Sequence, residues 1–187
     1  MKGATLLGAA AMLGMAGSAS AFSTEALMHL LAEVQSSRAQ FIETRQSTML
    51  KTPLTSSGQL VYQRPDRLEK HVQSPFVEST TIEGSRVTVS RGGPEGNRVI
   101  MLPPGGTAQA LIESLRATLA GDLAALERHF NVSVSGSRNA WSMTLTPRAT
   151  LPVVRVDFAG ADRHVQRIEV VESGGDRTVT TISDERR

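Results

Sequence analysis

The side chains able to do chemistry are few and dispersed. His29, His71, His129 and His164 share no metal-ligand spacing, and the chain contains no cysteine. A Cys/His metal set is therefore not available, and no metal site is expected. No serine sits in a nucleophile elbow, and the carboxylates are plentiful without forming an evident acid/base couple. The glycine-rich "GGPEGN" at 92–97 leads from one predicted strand to another, whereas a phosphate cradle needs a helix start there. Each histidine reads as an ordinary surface or core residue, and neither catalysis nor a cofactor is expected. The residue that stands out is Arg64, in "LVYQRPDRLEKH". Leu60, Tyr62 and Arg64 alternate with the side-chain period of a strand. If Leu60 and Tyr62 face a core, the arginine faces it too.

The elements that must position Arg64 follow from periodicity. The chain opens "MKGATLLGAAAMLGMAGSASAF", with one lysine, an apolar run and then Ala19-Ser20-Ala21. That order predicts a secretory signal over 1–21, cleaved after Ala21, and one domain over 22–187. The run is shorter than the roughly 20 residues of a spanning helix. A secretory signal without disulfides fits a bacterial periplasm. The formal charge is +2, acids and bases are interspersed, and no basic run is interleaved with aromatics, so nucleic acid is not an expected partner.

A helix capped by Ser23 or Thr24 is expected to about Ser36, with Leu27, Leu30, Leu31 and Val34 on one face. From Arg38 the period falls to two. Strands then follow at short spacing to about Leu102. "PPGG" (103–106) ends that run, and Thr107 is read as the cap of a second helix carrying Leu111, Ile112, Leu115 and Leu119. Gly121-Asp122 reads as a stop followed by a new cap, with a short third helix to Phe130. Strands resume from Val132 to Ser183. Roughly ten short strands in succession favour an antiparallel meander that closes into a sandwich or barrel. The helices either cover an apolar cavity, a common ligand site, or simply fill the core. The patterning leaves both open.

The order of short motifs resembles the LolA-like periplasmic lipoprotein carriers. After the first helix come Ala39-Gln40-Phe41-Ile42-Glu43, Gly58-Gln59-Leu60, Arg64-Pro65, Pro75 and Glu83-Gly84. Further on, "SMTLTPR" (142–148) and "VQRIEVVESGGDRTVTTIS" are similar to the family's later strands. The resemblance implies an α+β fold: an incomplete, strongly curved antiparallel barrel, lidded by the first helix and the mid-chain helical insert. It implies a monomeric carrier that takes lipoprotein or other acylated lipid cargo from an inner-membrane exporter to an outer-membrane acceptor. Arg64 is then a latch that hydrogen-bonds lid backbone when the carrier is empty. Phe41, Leu60, Tyr62, Leu68, Val72, Leu27, Leu30, Leu31, Leu111, Ile112 and Leu115 would line the acyl cavity. A non-catalytic envelope sensor or scaffold on the same fold is the alternative.

Three departures qualify the resemblance. Glu43 replaces the family's glutamine, Lys70 stands where an aromatic is usual, and the chain stops at Arg187 without the usual C-terminal extension. A specialised relative is therefore expected rather than the general lipoprotein carrier. If the first hairpin turns at Pro53-Leu54, Phe41 pairs with Asp66, Glu43 with Arg64 and Arg45 with Tyr62. Glu43 would then complete the latch beside Arg64.

Overall fold

The computed structural model describes residues 22–91 and 96–184, so the predicted signal segment lies outside the described residues. Helix α1 (Thr24–Ala32) precedes β1 (Ser36–Gln46), β2 (Leu54–Gln63), β3 (Arg67–Ser74), β4 (Glu78–Glu83), β5 (Arg86–Arg91) and β6 (Asn97–Met101). Helices α2 (Thr107–Ala120) and α3 (Leu123–His129) follow. The chain then forms β7 (Phe130–Ser137), β8 (Ala140–Pro147), β9 (Val153–Ala161), β10 (His164–Glu172) and β11 (Arg177–Asp184). All these strands join one antiparallel sheet in the order β6-β5-β4-β3-β2-β1-β11-β10-β9-β8-β7. Two meanders are thus married through β1 and β11, and β6 and β7 remain as edges. The result is an α+β half-barrel, curved and unclosed, rather than the closed barrel or sandwich that strand spacing alone favours.

Local chemistry explains the helix ends. The Ser23 hydroxyl accepts a hydrogen bond from the Ala26 N–H at 3.1 Å and starts α1. That helix stops at Ala32, four residues before the expected end, because Ser36 already pairs with Gln63. The N-cap of α2 falls on Gly106, not Thr107. Gly121 ends α2 with φ +67°, and the Asp122 carboxylate then accepts from the Ala125 N–H at 2.9 Å to open α3. Only glycine suits that joint. A Cβ there would lie 2.2 Å from the Met28 carbonyl oxygen and 2.8 Å from the Ala32 Cβ, so the α2–α3 turn can rest directly on α1.

The helices cover one face of the sheet. Leu27, Met28 and Leu31 of α1, Ala117 of α2 and Leu126 of α3 bury into one cluster with Trp141, Met143, Leu145, Val156 and Phe158. Directly opposed residues share a face. Following the register from Met143 gives Phe158, then Ile168, Thr180, Glu43 and Ser56. The side that holds Glu43, and with it Phe41 and Ala39, is therefore the lidded, concave side. The same reasoning places Leu60, Lys70, Tyr62, Leu68 and Val72 there.

The expected first hairpin is corrected. Phe41 pairs with Gly58, Glu43 with Ser56 and Arg45 with Leu54. The chain between the strands is a long loop rather than a tight turn, pinned where the Thr48 N–H donates to Asp176 at 3.1 Å. Pro53, lacking an N–H, stays outside the ladder. The shift is an even number of residues, so every side chain keeps its face while its partner changes. Glu43 is not beside Arg64. The Arg64 N–H donates to the Gln35 carbonyl at 2.9 Å, eight positions before Glu43 in the chain. Gly58 opens the β2–β3 bulge; a Cβ there would lie 1.9 Å from the His71 carbonyl oxygen.

Candidate functional site

Arg64 emerges just past the end of β2, at the rim where both lid helices terminate. Its guanidinium donates to the Ala32 carbonyl, the last of α1. It also donates to the Ala120 carbonyl, the last of α2, at 2.9 Å. The final carbonyls of a helix lack intrahelical donors and carry the negative end of its dipole. One planar cation with several donors thus meets the ends of two helices at once, a fit no lysine would reproduce. An open groove of about 810 Å³ borders this junction, lined by His29, Ala32, Arg64, Glu113, Arg116 and Asp122 among others. Arg64 is accordingly half-buried and reachable by water.

Arg116 of α2 adds a second tie to the same half of the sheet. It donates to the Gly84 carbonyl at 3.3 Å and approaches Asp66 at 3.8 Å. Both arginines act on Tyr62, which is 3% exposed. Its hydroxyl has no hydrogen-bond partner among the described residues. Burial pushes the Tyr62 phenol above its ordinary value, and the charges of Arg64 and Arg116 draw it partly back.

The residues expected to line an acyl cavity divide into two groups. Phe41, Tyr62 and Leu68 are buried on the concave wall of the first meander, with Leu60 and Val72 half-buried beside them. Leu27 and Leu31 are buried among the core residues of β8 and β9, with Leu30 half-buried. On α2, Leu111 and Leu115 pack at the margin of that core, and Ile112 is half-buried. The most enclosed α2 side chains are instead Ser114 and Thr118. Leu111, Ser114, Leu115 and Thr118 follow the helical stripe spacing, but two of the four are hydroxyls, which a search for apolar periodicity passes over. Met28, three residues before Leu31 on the same face, is buried with it.

Glu43 has other partners than the one expected. The Lys70 ammonium donates to it at 2.7 Å, and the Thr180 hydroxyl at 3.0 Å. Lys70 also stands 5.0 Å from the centroid of the Phe41 ring. Glu43 and Lys70 therefore meet as one ion pair on the concave wall. They are separated in sequence by 27 residues, so no local signal couples them.

The convex face carries a Ser-His-Glu line that sequence spacing did not suggest. Ser79 and His71 Nδ1 are 2.8 Å apart, and His71 Nε2 lies 2.7 Å from Glu69. Hydrogen bonds from Arg67 and His71 hold the Glu69 carboxyl below its ordinary value. Acyl transfer needs more than these three groups, because a developing oxyanion must be met by converging N–H donors. β3 and β4 are interior strands whose backbone is paired on both sides. The three groups form a half-buried hydrogen-bond chain across β3 and β4. Among the described residues, no group of three or more His, Asp or Glu could hold a metal ion, and no helix is long and apolar enough to cross a membrane.

The model of a family described as outer membrane lipoprotein carrier protein LolA-like matches residues 16–185. An outer-membrane lipoprotein carrier protein of Methylibium petroleiphilum is 28% identical over 173 residues, covering 90% of this chain and 81% of that one. Among solved structures, a LolA superfamily protein from Nitrosomonas europaea aligns with a TM-score of 0.47 at 10% identity, over 87% of this chain and 92% of the other. An uncharacterized conserved protein from Thermus thermophilus aligns with a TM-score of 0.49 at 8% identity, over 84% and 83%. With the family model spanning nearly the whole chain, this protein belongs to the LolA-like family of outer membrane lipoprotein carrier proteins.

Proposed function

We propose that the chain is a soluble periplasmic carrier that shelters the acyl chains of a lipoprotein or another acylated lipid and performs no catalysis. Cargo would come from an inner-membrane exporter and pass to an outer-membrane acceptor, with the predicted 1–21 signal directing export. The observation that carries this reading is Arg64, whose guanidinium meets the terminal carbonyls of both α1 and α2 above a concave wall of Phe41, Leu60, Tyr62, Leu68 and Val72. A cation placed on two helix ends holds them shut, and it is breakable. A hydrogen bond to a charged group contributes roughly 1.5–3 kcal/mol, and a buried methylene gains about 0.8 kcal/mol. A few methylenes entering the cavity therefore offset one bond, and no nucleotide is needed on this protein.

The sensor or scaffold reading is favoured by a different observation. Leu27, Met28 and Leu31 pack straight onto the β8–β9 core, as they would in a domain with a filled interior. Solvent extraction of the purified protein, followed by mass spectrometry, separates the two, together with uptake of a fluorescent fatty acid. Co-purified acyl lipid and saturable uptake are expected. Neither lipid nor uptake would overturn the carrier and leave the module.

A further inference from the structure

The concave wall is not uniformly apolar, and its charged pair is unevenly satisfied. Both oxygens of Glu43 are engaged, one by Lys70 and one by Thr180. Lys70 is different. An ammonium has three N–H donors, and the contact with Glu43 at 2.7 Å uses one. The face of Phe41, 2% exposed, supports the ammonium from one side at 5.0 Å, and the Lys70 side chain keeps 33% of its exposure. Glu43 therefore acts as a fixed counter-ion, and Lys70 as a cation with donor capacity left over, on the lidded face of the sheet.

A plain hydrocarbon chain gains nothing from this arrangement. Laid across it, methylenes would strip water from two charges and return no hydrogen bond. An anion at the head of the chain reverses the sign of the effect. Carboxylate or phosphate oxygens could take the remaining Lys70 donors in charge-assisted bonds, while Glu43 keeps the ammonium in place. The same glutamate compensates a cation that would otherwise stand alone on the concave face. The neighbouring wall residues Leu60 and Val72 lie on the same face within one strand pair, so a chain extending from the anion meets apolar surface at once.

We infer that Lys70, positioned by Glu43 and Phe41, is a headgroup subsite on the concave wall that selects acyl cargo bearing an anion next to the chain. This rests on the carrier reading above and narrows its substrate class. Two sources share the chemistry, a fatty-acid carboxylate and the phosphate of a monoacyl phospholipid. Titration of the full chain at pH 7.5 with palmitate against methyl palmitate tests the first. Lysophosphatidic acid against monopalmitoylglycerol tests the second. At least one anion should bind tenfold or more tightly than its uncharged partner, and Lys70→Met should bring that ratio towards one. The pair that shows the ratio identifies the source. Equal affinities within both pairs, or a ratio indifferent to Lys70→Met, would overturn the subsite while leaving the carrier standing. Absence of binding by all four probes would remove both.

Discussion

Replacing Arg64 by leucine should open the lid without unfolding the sheet. The side chain makes two bonds that exist only when the helices are seated, to the Ala32 and Ala120 carbonyls. At roughly 1.5–3 kcal/mol for each bond to a charged group, the pair holds the closed form by about 3–6 kcal/mol. Arg64 is half-buried beside an open groove, so water competes and the lower end applies. At about 1.4 kcal/mol per factor of ten, the open population should rise on the order of 100-fold. The same sum sets the load needed to open the wild type: about four methylenes at 0.8 kcal/mol each. Hydrogen exchange of the α1 and α2 amides reads the opening directly, because local opening of a lid costs less than global unfolding. Exchange there should accelerate by one to two decades while β8 and β9 keep their protection. Uptake of a fluorescent fatty acid should become faster, and release to acceptor vesicles slower. Lysine at 64 should be intermediate, since a single ammonium cannot present the planar fork to two helix ends. Unchanged exchange in α1 and α2, or acceleration spread evenly over the whole sheet, would refute the latch.

Two other substitutions probe one buried group on each face of the sheet. Tyr62→Phe removes a buried hydroxyl that has no partner among the described residues; stability should hold or rise by up to about 1 kcal/mol, and a loss of that size in a denaturant melt would show the hydroxyl to be bonded. Glu169 is held by Arg177 and Arg167, whose hydrogen bonds keep its carboxyl below the ordinary value. Its folded value is lower than its unfolded one, so its stabilisation is complete above the unfolded value and is lost as pH falls through the folded one. Glu169→Gln should therefore cost about 1–2 kcal/mol at pH 7, with a gap from wild type that closes as the pH is lowered below the unfolded carboxylate value; a gap independent of pH would contradict the assignment.

Much of the architecture was legible in the chain because its signals are local. Leu27 and Leu31 mark a helical face by spacing alone. Gly121-Asp122 ends one helix and begins another because a left-handed joint and a carboxylate cap are properties of adjacent residues. Leu60 and Tyr62 alternate, and that assigns a face whatever strand lies opposite. The motif order around Arg64-Pro65 implied an inward arginine in the same way, through position along the chain.

What the tertiary structure decided were the partners. The first hairpin closes eight residues away from the expected pairing sum, with the same faces and different neighbours. Alternation repeats every two residues, so any even shift satisfies it equally well. The observed register goes with a long loop pinned to Asp176, and Gly58 lets β2 pass close to the His71 carbonyl of β3. That single decision sends Glu43 to Lys70 and leaves Arg64 to the two helix ends. Ser114 and Thr118 were hidden for a related reason: hydropathy marks them as surface, and only the packed fold buries them. Which face a side chain occupies is written in its own neighbourhood of the chain, because backbone geometry sets it. Which side chain it touches depends on contacts between distant segments, and those exist only once the sheet has curved and the lid has settled.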